Sequence, residues 1–538
     1  MTGDTTLARA IARALAARGV RRMFGVPGGG SSLDLIDAGA REGIEFVLCR
    51  TETAAAIMAA VTGELTGVPG VVLTGIGPGA ASVVNGVAYA SVERAPLLVF
   101  TDTHEDGAIA PPHQIFDQQA MFAPISKAQL RLSPASGAAE IERLLDLATA
   151  EPPGPVHVDL SARDAAAPVP EPGPALPGAA AQTAAAGPDP ALAEAARLLG
   201  NAARPAMVVG LQARTADRAA AADALAAALG GPVMTCYKAR GVVADDHPLF
   251  VGTYTGAASD AAVLSRADLI LFCGVDPVEM IPGRWAFDAP VVVLSESSGL
   301  AWPFAPAAEI VGPVAVSAAA LADRTAPDRS WTPAEIRELR SGLAQTGALA
   351  GNGHTAQGVI EALAHAAPDR ARLAVDAGAH MFSAMTRWPA RAPHDVLKSN
   401  GLSTMGYAVP AALAGWLHEP GRPALAVTGD GGMMMCLAEL STAARLGADL
   451  KVVVLNDAAL SLIDIKQQRQ QRPPLGVRYP RVDFAGAARA LGCAAWTVGR
   501  HAPLDAALAA ALSHDGPALL DIAVDPSGYR DQLAALRG

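Results

Sequence analysis

The chain has 538 residues, 51% of them hydrophobic and 17% charged. That is too long for one core and ample for several. Its 41 Lys and Arg against 52 Asp and Glu give a formal charge of −11. This favours solubility and weighs against nucleic-acid or anionic-membrane partners. Five scattered cysteines without a Cys-x-x-Cys pair read as reduced thiols of a cytoplasmic protein. Residues 1–22 lack the apolar core of a signal peptide. Residues 67–92 carry no charge, but their glycines and prolines fit strand, loop and helix better than a membrane span.

Taken in order, residues 1–165 alternate helical and strand signals and read as a doubly wound α/β domain. A helix is expected over 7–18 and a strand over 23–26. The glycine turn Pro27-Gly28-Gly29-Gly30 follows, with Ser31 or Ser32 capping the next helix. Further strands are expected at 46–48, 71–74 and 97–101, and a helix at 54–66. Residues 166–190, rich in Ala, Pro and Gly, read as a linker. A second α/β unit spans 191–335, with strands at 206–209, 233–235, 269–273 and 291–294 and a helix at 216–229. Its end, about 305–335, reads as an Ala- and Pro-rich connection. A third unit spans 345–538.

The third unit holds the most informative stretch. A strand over 424–428, a helix over 433–446 ended by Gly447 and a strand over 451–456 form a βαβ unit with parallel strands. Asp430 and Asp457 then lie just beyond the two strand ends, where open α/β sheets bind ligands. Two converging carboxylates suit Mg²⁺, which completes its shell with water and phosphate. Gly431 and Gly432 let backbone approach a diphosphate at the start of the helix. The plainer alternative is a βαβ turn with two solvated aspartates.

Gly429-Asp430-Gly431, followed by Asn456-Asp457, resembles the motif of the thiamine diphosphate enzymes. The resemblance makes Asp430, Asp457 and the Ala459 carbonyl the Mg²⁺ ligands; Asn is commoner at the Asp457 position. Three α/β units resemble the acetolactate synthase and pyruvate decarboxylase group, with pyrimidine-binding, central Rossmann-like and diphosphate-binding domains. Glu52 in Cys49-Arg50-Thr51-Glu52 would bond the cofactor pyrimidine and control its proton. Ser403 and Met405, in 399–407, would bond and wedge the cofactor. Gly378, Ala379 and His380 would touch the diphosphate. Residues 113–127 resemble the catabolic, FAD-independent acetolactate synthases, and Gln114 would face the reacting centre.

The same resemblance implies a substrate pocket of Gly28, Gly29, His113, Leu460, Leu462 and Ile463. His104 and His113 are weaker candidates for moving protons. The implied reaction is decarboxylation of a 2-oxo acid, pyruvate first, with ligation to a second carbonyl. Simple decarboxylation or another acceptor is the runner-up. The active unit would be a homodimer or homotetramer sharing sites between subunits. Two features depart from the family. Gly28-Gly29-Gly30-Ser31 lacks the usual Lys, and 274–279 lacks the Arg-rich stretch that anchors FAD, so no flavin is expected. A competing dehydrogenase reading takes Gly75-Ile76-Gly77-Pro78-Gly79-Ala80, with Asp102 as the ribose acid. A ThDP-fold protein without catalysis is a further alternative, though Glu52 and Asp430 are both present.

Overall fold

The computed structural model describes residues 5–105, 113–114, 116–137, 139–169, 190–324 and 330–538. It contains three six-stranded sheets, and every strand pairing within them is parallel. Their strands are short apolar runs such as Gly70–Thr74, Leu269–Cys273 and Leu450–Asn456, all buried along their length. Burial on both faces is what a parallel sheet flanked by helices requires.

The first sheet runs, from one edge, through Glu45–Leu48, Arg22–Val26, Gly70–Thr74, Leu97–Thr103, Pro155–Ser161 and Gln129–Arg131. Numbered along the chain, this spatial order is 2-1-3-4-6-5. The third sheet, Val396–Lys398, Arg372–Val375, Ala424–Gly429, Leu450–Asn456, Ala518–Ala523 and Ala494–Val498, repeats it. In both, the order reverses between the first and third strands, and the crevice at that reversal is where such sheets take ligands. The middle sheet follows 3-2-1-4-5-6, the Rossmann order, from Phe250–Thr253 to Ala308–Val311. Three α/β layers of this kind are the expected fold class.

The chain divides into two compact units: Met1–Gln182, Val409–Gly421 and Cys436–Ala448 form one, and Thr183–Ala408, Arg422–Met435 and Asp449–Gly538 the other. The first sheet is in the first unit, and the middle and third sheets are in the second. Each sheet has its own apolar core. All five cysteines are buried. Among the described residues, no helix is long and apolar enough to cross a membrane.

Several local expectations are corrected. The helix expected over 433–446 is two, Asp430–Cys436 and Glu439–Leu446. Leu440 N and Ser441 N turn back to Leu437 O and Ala438 O, which restarts the helix at Glu439. Neither Ser31 nor Ser32 caps: the helix Ser31–Arg41 has Gly30 as its N-cap with no side-chain bond, because both hydroxyls are spent on Asp102. The connection at 305–335 contains the strand Ala308–Val311 and the helix Val314–Ala322, whose buried Ala308, Ile310, Val314, Ala318 and Leu321 serve a core rather than a loop. The helix expected from 54 starts at Glu52, capped by the Thr51 hydroxyl. Of the linker, Pro168–Val169 pairs antiparallel with Thr5–Thr6, and 170–189 lie outside the described residues.

Candidate active site

In the first sheet, a cavity of about 850 Å³ opens at the reversal point, lined by Gly28, Gly29, Gly30, Glu52, Asp102, Gln114 and neighbours. Glu52 is half-buried in the first turn of Glu52–Thr66, where a carboxylate is favoured by the helix dipole. The turn before it is fixed from an unexpected place. Glu439, fully buried, accepts from Arg50 N at 2.9 Å and Thr51 N at 3.0 Å, and its other oxygen accepts from the Thr442 hydroxyl. Burial pushes the Glu439 carboxyl up.

The glycine turns of this crevice are forced by space. A Cβ on Gly28 would lie 2.7 Å from Gly75 Cα and 2.2 Å from Asp102 Oδ2, and one on Gly30 would lie 2.9 Å from the same carboxylate. Gly29 has nothing within 4 Å of its Cβ position. Asp102, 4% exposed, takes Gly30 N, Ser32 N and both serine hydroxyls. Its oxygens are therefore committed to the turn, which leaves the ribose role without an acceptor. Gln118 is buried and joins the parts: its Oε1 accepts from Gly77 N at 2.9 Å, and its Nε2 donates to Asp159 Oδ1 at 2.7 Å and Asp102 O at 3.2 Å. Gly77 (φ 62°) passes so close to Gln114 that a Cβ would lie 2.3 Å from its carbonyl. His113 is exposed and does not line the cavity; its carbonyl meets His104 Nε2 at 2.6 Å.

In the third sheet, a cavity of about 360 Å³ collects Gly378, Ala379, His380, Ser403, Met405, Gly429, Asp430, Gly431, Gly432, Asp457, Ala459, Leu460, Leu462 and Ile463. All the residues singled out by sequence in this unit thus share one crevice. A Cβ on Gly431 would lie 2.6 Å from Leu460 Cδ2 and 3.2 Å from Met405 Cε, so a side chain there would displace the tips of both. Behind it, buried Asp376 accepts from Ala377 N, Gly406 N, Tyr407 N and the Thr428 hydroxyl, tying 404–407 to the end of the strand Ala424–Gly429. A Cβ on Gly432 would lie 2.5 Å from that carboxylate. His380 is buried and neutral, since burial and Lys398 lower it to about 3, and its Nε2 has no hydrogen-bond partner.

Asp430 Oδ1 accepts from Gly431 N at 2.7 Å and from Tyr479 Oη at 2.9 Å. Asp430 Oδ2 is buried without a partner. Asp457 accepts from the Ser461 hydroxyl at 2.6 Å and from Ala459 N at 3.2 Å. Burial, with Asp430 as a neighbour, pushes Asp457 up to about 7. A buried Asp430 with one bare oxygen, beside the half-buried Asp457, is a donor set that suits a divalent cation. Among the described residues, no three or more His, Cys, Asp or Glu side chains converge. A cation here would complete its shell from a carbonyl, water and phosphate, which is Mg²⁺ chemistry. The residues fit the group. Gln114 (57°) in the first crevice, and Ser403 (52°) and Ala458 (60°) in the third α/β unit, hold positive φ without being glycine.

Sequence reasoning did not single out Glu439, Asp102 as a turn clamp, Gln118, Asp376 or Tyr479. For the acids and the amide the signal, burial among backbone donors, is invisible without the fold; Tyr479 acts instead as a donor to Asp430.

A crevice suited to a cation-bridged anion on one parallel sheet, and a glutamate-bearing crevice on another of the same order, define a cofactor-dependent α/β enzyme. Comparison with known proteins agrees. The N-terminal TPP binding, central and C-terminal TPP binding domains of thiamine pyrophosphate enzymes match residues 5–121, 192–321 and 376–522. The catabolic acetolactate synthase of Raoultella terrigena is 30% identical over 96% of this chain and 94% of its own. The probable 2-ketoarginine decarboxylase AruI of Pseudomonas aeruginosa is 30% identical over 91% of this chain and 89% of its own. The acetolactate synthase of Bacillus subtilis is 26% identical, covering 96% and 92%. The chain belongs to the thiamine-diphosphate-dependent enzymes, in their acetolactate synthase-like group. This displaces the dehydrogenase reading and the non-catalytic one.

Proposed function

We propose that this enzyme decarboxylates a 2-oxo acid, pyruvate first, and joins the remaining fragment to a second carbonyl, so that two pyruvates yield acetolactate. The observation that carries the reading is the pair Asp430 and Asp457, converging with a bare Oδ2 in the crevice that also holds His380, Met405 and the glycines. Thiamine diphosphate, when bound, supplies the carbon nucleophile and the electron sink. Asp430, Asp457 and the Ala459 carbonyl hold Mg²⁺. Gly378, Ala379, His380 and Gly429–Gly432 receive the diphosphate. Ser403 and Met405 orient the pyrimidine. Glu52 holds and returns a proton at the pyrimidine ring. Gln114 faces the reacting carbonyl. Gly28, Gly29, Leu460, Leu462 and Ile463 wall the substrate and exclude water.

Residues 1–165 would carry the pyrimidine half, 191–335 the middle domain and 345–538 the diphosphate half. Glu52 of one subunit would serve the diphosphate half of another, in a homodimer or homotetramer of a cytoplasmic protein. No flavin is expected in the middle domain. There Glu279 already takes Leu211 N at 2.8 Å, the turn where a dinucleotide phosphate would sit. Flavin absorbance at about 450 nm in the purified protein would refute that point.

A second reading, decarboxylation without ligation, draws on the absence of a cationic side chain in Gly28-Gly29-Gly30, which leaves Arg163, at the edge of the same cavity, as the cation for an acceptor carboxylate. NMR of the protein with thiamine diphosphate, Mg²⁺ and ¹³C-labelled pyruvate separates the two. Acetolactate is expected; acetaldehyde alone would favour the second reading. Tight cofactor binding with untouched pyruvate would move the donor to another 2-oxo acid.

A further inference from the structure

Asp430 and Asp457 are held in different ways. Both oxygens of Asp457 have donors. Asp430 accepts on Oδ1 from Gly431 N and from the hydroxyl of Tyr479, the backbone N–H groups of Ala458 and Ala459 also bear on its carboxylate, and its buried Oδ2 has no hydrogen-bond partner. Tyr479 arrives on a strap that returns after the helix Ser461–Arg469. Leu460 N donates to Val477 O at 2.8 Å and Tyr479 N to Ala458 O at 3.2 Å, so Ala459 and Arg478 form an antiparallel bridge. Neither bond uses the Ala459 carbonyl. The strap thus grips Ala458, in its left-handed conformation, and leaves the next carbonyl outside the bridge. Arg478 anchors the strap through Asp464, with Nε–O at 2.9 Å. The Tyr479 hydroxyl also lies 3.3 Å from the Cβ position of Gly431, so the glycine makes room for it.

We propose that Tyr479 is a positioning residue for the divalent cation: its hydroxyl occupies Oδ1 of Asp430, restricting that carboxylate to binding metal through Oδ2. The inference rests on the cation reading above. Its consequence is selectivity. Mg²⁺ needs a near-octahedral shell of single oxygens, whereas Ca²⁺ takes more ligands and accepts carboxylates through both oxygens. Tying off Oδ1 therefore favours Mg²⁺ over Ca²⁺. In Tyr479→Phe the ring stays and Oδ1 keeps only the Gly431 N donor, which opens its second lone pair to a cation.

The test is calorimetric titration of Mg²⁺ and of Ca²⁺ into the metal-free, full-length protein with thiamine diphosphate present, for the parent, Tyr479→Phe and Asp430→Ala. In Tyr479→Phe, Mg²⁺ half-saturation should rise about tenfold, the scale for losing a partner that orients a metal ligand. Ca²⁺ should weaken less or tighten, and cofactor affinity at saturating Mg²⁺ should hold. Parent-like Mg²⁺ half-saturation and Ca²⁺ to Mg²⁺ ratio would overturn the role of Tyr479. Equal weakening of both cations and of the cofactor would also overturn it, since the hydroxyl would then only support the pocket. If Asp430→Ala kept the parent's cation dependence, the cation reading itself would fall.

Discussion

The first and third sheets share one strand order, 2-1-3-4-6-5, and open a crevice at the same reversal, yet they equip it in opposite ways. In the first, the acid at the end of the fourth strand is Asp102, and the turn after the first strand saturates it with two N–H groups and two hydroxyls. In the third, the acid following the fourth strand is Asp457. It is paired with Asp430, which keeps one buried oxygen bare. A buried acid with all its donors supplied is architecture; Asp430, with a bare oxygen in a crevice of glycines, is open to a ligand. The first crevice has instead a half-buried glutamate aimed into a large cavity, which suits handling a proton rather than a cation.

The sharpest way to break this contrast is Glu52→Gln. Turnover should fall by about 10²–10⁴-fold, the range for a positioned proton-transfer group, while cofactor affinity stays. Unchanged turnover would remove Glu52 from the chemistry. Asp457→Ala should raise the Mg²⁺ needed for cofactor binding by about 10–100-fold, with little effect on the first crevice. Titrating Mg²⁺ while following cofactor binding would expose an error.

The middle sheet offers a third kind of buried acid. Glu279 accepts from Leu211 N and Asp276 N, yet its Oε1 has no partner and burial pushes it up to about 8. Its unfolded value is 4.5. Between these values the unfolded chain has lost the proton and the folded chain still holds it. Stability from this group is thus complete below the unfolded value and declines as pH rises towards about 8. In Glu279→Gln the melting temperature should depend less on pH over that window; an identical slope would show that Glu279 does not titrate there. The smallest effect is expected for Gly29→Lys. Because only Gly29 in its turn has open space, the variant should fold normally and lower KM for pyruvate about threefold by supplying a charge partner. A raised KM would mean the turn does not face substrate.

Much of the second crevice was legible in the sequence, because two acids and their glycines sit at strand ends that apolar periodicity locates. The first crevice was less so. Glu52 stood out only through resemblance, and Glu439, which fixes the turn before it, lies 388 residues from Thr51. No local pattern carries a bond of that span. The serines after Gly30 were misread as caps because the competing acceptor, Asp102, is supplied by another strand. The restart at Glu439 leaves no trace in the sequence because 433–446 contains no glycine or proline to mark a break. Tyr479 gave no signal, since its partner is reached only when the strap folds back.

In the proposed homodimer, the Glu52 crevice of one subunit and the Asp430 crevice of the other make one catalytic centre. Co-expressing Glu52→Gln with Asp430→Ala, each inactive alone, tests it directly. If two subunits share each centre, random pairing should restore about a quarter of parental turnover, because half of the dimers would hold one intact centre of two. No recovery above either single variant, with mixed dimers shown to form, would contradict the claim.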